Sequence, residues 1–272
     1  MILFMTFMII PVFMAGYYSV MDWRGIGIPK YVGLDNYRWL FHDEVFWKSV
    51  VNTLYYSLAT VPLTMALALF LAVMLNQKLP LRGFMRASIY LPAVISTVVV
   101  GIVFTWLFQD QVGLINYILN KLGINSIRWN NDPRFAMIML IIGTVWQRTG
   151  YNMVIYLAAL QGIPAECHDS AMVDGASRWQ YFWRIAFPLL KNTHTFVLIT
   201  CTLYSFRSFD IVYTMTKGGP LNSTKTLVMY IYELAFGKSR FGRASAAGVV
   251  LFITIVTLTS IRFLNDRKEA ER

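Results

Sequence analysis

The side chains with chemistry to do in this chain are the polar ones placed inside long apolar runs. Gln147, Arg148 and Asn152 interrupt the run 135–160, and Tyr204, Arg207 and Asp210 fall within the run 195–216. A charge at membrane depth costs at least about 2.5–3.5 kcal/mol, so each must line a wet path or meet a partner. Arg148 and Asn152 are one helical turn apart and share a face, with Gln147 adjoining, while the spacing of Arg207 and Asp210 lets them pair directly. Flat aromatic faces (Tyr204, Phe206, Phe209) beside planar polar groups suit a pyranose, which has an apolar face and a rim of hydroxyls. The functional reading is a translocation path lined by Gln147, Arg148, Asn152, Tyr204, Arg207 and Asp210. The structural alternative is an Arg207–Asp210 ion pair, with Arg148 snorkelling or bonded to carbonyls.

Other chemistry is not indicated. His168, Asp169, Asp174 and His194 do not read as a metal site: the first two are neighbours on a helix and should point apart, and His194 lies beyond the next helix. Neither a Ser-His-Asp set nor a pair of catalytic carboxylates is present, so no enzyme is expected. The chain has no G-x-x-x-x-G-K-[ST] phosphate loop and should not hydrolyse ATP itself.

These residues sit in a chain of 272 residues that is 57% hydrophobic and 14% charged. Soluble domains carry about 25% charge, so this is an integral membrane protein. The net charge of +10 then points to anionic lipid headgroups rather than nucleic acid. Cys167 and Cys201 should lie at different depths and not form a disulfide.

A span needs about 20 apolar residues. Six runs meet this: 1–20, 49–77, 87–109 with Pro92 near its start, 135–160, 195–216 and 244–261. The first lacks a small-residue processing site and reads as a retained span, although its abrupt start suits a chain with further residues before it. The segments 22–48, 110–134 and 217–243 read as polar loops, 78–82 as a short turn and 265–272 as a charged tail. The small residues Ala244-Ser245-Ala246-Ala247-Gly248 suit ordinary close helix packing. The expectation is one all-α domain over 1–272, a six-helix transmembrane bundle. Raw Lys and Arg counts do not choose its orientation. Their density in the turn 78–86 and the tail 262–272 favours those segments facing the cytoplasm.

The stretch 163–190, IPAECHDSAMVDGASRWQYFWRIAFPLL, is one no bilayer would accept. Pro164 can open a helix, Gly175 can stop it, Ser177 can cap a second, and Pro188 can close that one. Glu166, Asp169 and Asp174 share an arc of the first helix. Trp179, Phe182, Trp183 and Ala186 form an apolar stripe on the second, which should hold the stretch to the bundle.

This stretch resembles the cytoplasmic loop of permease subunits of binding-protein-dependent ABC importers. The family pattern is E-A-A, three residues, G, nine residues, I, one residue, L-P. Asp169, Ser170 and Ala171 stand at E-A-A, Gly175 at G, and Ile185, Phe187 and Pro188 at I-x-L-P. Asp for Glu, Ser for Ala and Phe for Leu depart from it, while the spacing is kept. The resemblance continues in Val32-Gly33-Leu34-Asp35-Asn36-Tyr37, Asn52-Thr53-Leu54, Leu91-Pro92, Trp146 with 156–161, Thr216-Lys217-Gly218-Gly219-Pro220 and Phe241-Gly242. It points to the carbohydrate branch, similar to the maltose-type first permease and to glycerol-phosphate permeases.

The resemblance implies a sugar importer in a prokaryotic inner membrane. It implies pairing with a second permease, an ATPase dimer beneath and an extracytoplasmic solute-binding protein. It further implies that Glu166, Asp169, Ser170, Ala171, Asp174, Gly175 and Ala176 dock on the ATPase as a coupling helix in the cytoplasm. ATP and its magnesium would belong to the ATPase, with no cofactor bound by this chain. A glycerol phosphodiester or polyol is the near alternative as cargo. A stand-alone secondary transporter would need internal repeats, and no half-to-half repeat is visible. A membrane scaffold without transport is opposed only by the polar residues of the spans.

Overall fold

A computed structural model of the chain describes residues 2–77 and 80–270. The 78–82 turn and the end of the tail therefore fall partly outside the described residues. The helices are α1 (Ile2–Phe4), α2 (Ile10–Ser19), α3 (Asp35–His42), α4 (Glu44–Leu75), α5 (Arg82–Val94), α6 (Thr97–Leu107), α7 (Leu114–Lys121) and α8 (Pro133–Gln161). They continue with α9 (Ala165–Val173), α10 (Arg178–Tyr181), α11 (Phe187–Leu189), α12 (Lys191–Phe206), α13 (Asp210–Met215), α14 (Leu227–Tyr232) and α15 (Phe241–Ala270). Single π-helical turns occupy Met5–Ile9, Phe182–Ala186 and Glu233–Gly237.

The centre of the bundle is α4 against α8. Asp43 caps α4, its carboxylate accepting from the Val45 N–H at 3.0 Å. At about 1.5 Å per residue its 32 residues are more than long enough to cross a hydrocarbon core of roughly 30 Å. Its buried stripe is small and hydroxylated: Ser49, Thr53, Ser57, Thr60, Thr64, Ala68 and Ala72. Small residues at that period let a neighbouring helix come close, which is how helices associate in a medium without hydrophobic drive. Elsewhere glycine does this work. A Cβ on Gly150 of α8 would lie 2.1 Å from the Ile89 carbonyl oxygen of α5, and one on Gly101 of α6 would lie 2.0 Å from Thr214 Oγ1 of α13.

The six runs form helix, but among the described residues only α4 and the 241–261 part of α15 are each long and apolar enough to cross unaided. The third run is not one helix. α5 and α6 meet at 97° across residues 95 and 96, where the backbone is extended. Pro92 one turn earlier has already withdrawn one backbone donor. One carbonyl freed at the bend, that of Ile95, is satisfied by Gln147, whose Nε2 donates to it at 3.0 Å and to Thr97 Oγ1 at 3.2 Å. A neighbouring side chain thus makes a broken helix tolerable in lipid. The fifth run breaks at residues 207–209 between α12 and α13. Ser208 is pinned there, with Tyr56 OH 3.2 Å from its hydroxyl and Thr226 Oγ1 donating to its carbonyl.

The loop expectations need correction. Residues 217–243 contain α14 and a π-helical turn, and Leu227, Tyr230 and Leu234 join the core with Leu40, Phe46, Phe206 and Leu251. The polar residues flanking this segment do not keep it out, because buried Lys225 is ion-paired with Glu233, which Lys238 also reaches at 3.3 Å. Segment 110–134 contains α7. Segment 22–48 holds α3 and a two-residue antiparallel ladder, β1 (Met21–Asp22) with β2 (Lys30–Tyr31), a small exception to the all-α expectation. The final helix starts at Phe241 and runs on through most of the expected tail. Ala244, Ala246 and Ala247 are fully buried, as close packing requires.

Candidate functional site

The stretch 163–190, a bracket on the side of the bundle, takes the form its residues dictate. α9 runs from Ala165 to Val173 with Pro164 just before it, in extended conformation, at the N-cap rather than the first helical position. Asp174 caps its C-terminus and Gly175 follows at φ +77°. The Ala176 N–H reaches back to the Ala171 carbonyl at 2.9 Å, closing the helix in the left-handed manner that glycine permits. Ser177 and Gln180 then form a reciprocal capping box, Gln180 N–H to Ser177 Oγ at 3.3 Å and Ser177 N–H to Gln180 Oε1 at 2.7 Å. Glu166, Asp169, Ser170, Asp174 and Gly175 are exposed, Ala171 is buried and Ala176 half-buried. One acidic face therefore stands free on the surface of the chain.

The aromatic stripe is placed differently from the expectation. Trp179 is 70% exposed and Trp183 46%, and the two meet each other edge to face at 5.5 Å. Tyr181, Phe182, Ala186 and Leu190 pack on the bundle instead, against Ala68, Ala72, Leu75 and Leu157. Phe182 and Ala186 of the expected stripe thus hold the bundle, while Trp179, on α10 before the π-helical turn at Phe182–Ala186, and Trp183, within it, face outward. Pro188 lies inside the continuing helix, and the chain breaks at Leu190.

His194 locks this joint. Its Nε2 lies 3.2 Å from the Phe187 carbonyl and its Nδ1 lies 3.1 Å from Tyr156 OH. A carbonyl only accepts, so Nε2 bears the proton and Tyr156 donates to Nδ1. The ring also lies against Phe187, centroids 4.4 Å apart. One imidazole thus joins α8, the bracket and α12. Replacing His194 with Ala is expected to loosen the bracket by about 1–2 kcal/mol. Thermal denaturation in detergent should show a lower midpoint, and proteolysis should cut faster near residue 187, whereas His194→Gln should keep much of both. His168 and Asp169, expected to point apart, touch at 3.3 Å on the surface. Among the described residues no three His, Cys, Asp or Glu side chains gather as metal ligands.

Inside the bundle, a cleft of about 50 Å³ opens between α4, α8 and α12. Arg148 lines it with its guanidinium carbon 3.2 Å from the Tyr204 ring centroid. Arg148 Nε is buried and has no acceptor. Asn152, one turn along, donates to the Arg148 carbonyl at 2.9 Å. Of the six residues expected together, the structure assembles three: Arg148, Asn152 and Tyr204. Gln147 turns to the bend between α5 and α6. Arg207 and Asp210 are exposed on either side of the α12–α13 break, and no ion pair joins them, because the break removes the helical spacing that would bring them together. Thr60, Thr64, Thr144, Thr200 and Ser205 also line the cleft. The sequence signal for Thr60 and Thr64 was the hydroxyl period of α4, which also runs through Ser49, Thr53 and Ser57; Thr144, Thr200 and Ser205 lie on α8 and α12 and carried no such period. Ser57 and Ser205 hydroxyls lie 2.7 Å apart, as do Tyr56 OH and Thr144 Oγ1.

The model of the family described as binding-protein-dependent transport system inner membrane component matches residues 64–269. The chain belongs to that family. It is thus the permease subunit of an ABC importer, a transport subunit and not an enzyme, and the stand-alone transporter alternative falls. The permease is similar to the lactose transport system permease protein LacF of Rhizobium radiobacter, 37% identical over 269 residues that cover 97% of this chain and 90% of that one. It is 35% identical over 236 residues to the sulfoquinovosyl glycerol transport system permease protein SmoG of Agrobacterium fabrum, covering 86% and 77%. With the sn-glycerol-3-phosphate permease protein UgpA of the same organism it shares 32% over 266 residues, covering 96% and 90%. Among solved structures it resembles a chain of a bacterial ABC transporter that imports the acidic polysaccharide alginate. The TM-score is 0.86 at 25% identity, over 98% of this chain and 92% of that one.

Proposed function

We propose that this permease forms half of the translocation path of an ATP-driven importer for a sugar, an oligosaccharide or glycoside. The whole chain, 1–272, acts as one transmembrane domain in a prokaryotic inner membrane. The observation that carries the coupling role is the free acidic face of α9, closed by Gly175 and seated on the bundle through Tyr181, Phe182 and His194. A surface helix so mounted can transmit a push without dissolving. The residues that would meet the ATPase are Glu166, Asp169, Ser170, Asp174 and Gly175, with Ala171 and Ala176 supporting them from behind. The cleft of Arg148, Asn152 and Tyr204 lies on the path.

The partners in this reading are a second permease, an ATPase dimer that holds ATP and magnesium, and an extracytoplasmic solute-binding protein. Support for a sugar comes from the relatives named for lactose and sulfoquinovosyl glycerol. UgpA, at 32% identity, supports a second reading with a glycerol phosphodiester or polyol as cargo.

Affinity purification from a membrane that expresses the whole system tests this. An ATPase and a second permease are expected to co-purify, and the associated binding protein is expected to bind one member of a sugar panel. A solitary chain that transports by itself would overturn the reading.

A further inference from the structure

We propose that the cleft between α4, α8 and α12 takes an anionic glycoside, with Arg148 as the countercharge to a carboxylate, sulfonate or phosphate on the sugar. The proposal rests on the sugar-importer reading and narrows its substrate class. Arg148 is the one ionised residue lining the cleft. Among the described residues it makes no ion pair, and its Nε is buried without an acceptor.

The stack on Tyr204 holds the guanidinium flat and leaves its edge, where the N–H groups point, uncommitted. Stacking orients the charge but does not neutralise it, and an unanswered charge at this depth is costly. Asp210 does not supply the answer, because it lies exposed beyond the α12–α13 break. A neutral sugar hydroxyl can accept from the guanidinium but brings no charge to balance it, whereas an anionic group does both. The planar edge of a guanidinium fits two oxygens of one anionic group side by side.

The test uses the complete importer in liposomes with its binding protein. Uptake is measured for a neutral disaccharide, its glucuronate-bearing counterpart and a sugar phosphate, with wild type, Arg148→Gln and Arg148→Lys. The expected result is that an acidic probe is carried in preference. Arg148→Gln should raise its KM about ten-fold or more, the scale of a lost hydrogen bond to a charged group, Lys should restore part of this, and the KM for the neutral disaccharide should change several-fold less than that for the acidic probe. If wild type carries only the neutral sugar, or Arg148→Gln affects all probes alike or none, the proposal is overturned while the sugar reading stands. If Arg148→Gln fails to assemble with the second permease, Arg148→Lys decides: an assembled Lys variant with no preference for the acidic probe overturns the proposal. A wild-type complex that carries none of the three probes would remove the sugar reading itself.

Discussion

A Gly175→Val permease is expected to reach the membrane, bind no ATPase and import nothing, while its binding protein still captures substrate. The cause is backbone conformation and not collision. Gly175 has φ +77°, and a Cβ there would meet nothing within 4 Å. An L-residue in the left-handed region costs about 1–2 kcal/mol, and a β-branched one is still less tolerant. The cheapest relief is to unwind the turn closed by the Ala176–Ala171 hydrogen bond. That would move Asp174 and the end of α9, the part that would press on the ATPase. Asn tolerates the left-handed region, so Gly175→Asn should retain most transport. Pull-down of the ATPase together with uptake decides the matter: a Val variant that imports normally would show that the joint does not transmit coupling.

Gly150→Val is expected to cost the protein its stability rather than its coupling. Here the Cβ itself is the problem, 2.1 Å from the Ile89 carbonyl oxygen and 2.9 Å from the Tyr90 Cα. Both neighbours are backbone and cannot turn aside, so α5 must move off α8. Overpacking of this kind costs about 1–3 kcal/mol and occasionally more. The displacement would also pull the α5–α6 bend away from Gln147 and strand the Ile95 carbonyl in lipid. Folded yield and the denaturation midpoint in detergent should both fall. The control is Gly83→Ala on the same helix α5, where a Cβ meets nothing within 4 Å and little change is expected. A stable, fully active Gly150→Val protein would mean that α5 and α8 are not in close contact.

Several residues that carried the family resemblance turn out to pin together segments far apart along the chain. Asn36 Nδ2 donates to the Ser19 and Met21 carbonyls, and Asn52 Nδ2 to those of Asn222 and Lys225. Gly242 lets the Met21 carbonyl approach, since a Cβ would stand 2.0 Å from it. Each is a polar or small residue at a spot where backbone must be satisfied or admitted. In isolation such a residue reads as ordinary loop, because its partner lies far along the chain.

The sequence by itself determined whatever depends on local chemistry. Apolar runs placed the helices, since a bilayer demands about 20 such residues. The bracket was legible residue by residue: Gly175 at a left-handed position, Ser177 at a cap, and Glu166, Asp169 and Asp174 on a wettable face all obey rules that act over one or two turns. The tertiary structure alone decided which way side chains face when the helix departs from regular winding or stops. Packing of the bracket left Trp179 and Trp183 exposed while Phe182 and Ala186 met the bundle. The break after α12 separated Arg207 from Asp210, and the 97° bend drew Gln147 away from Arg148. Arg148, Asn152 and Tyr204 came together because α8 and α12 pack across a hydroxyl-lined stripe of α4. That juxtaposition depends on contacts between distant parts of the chain, which no local period encodes.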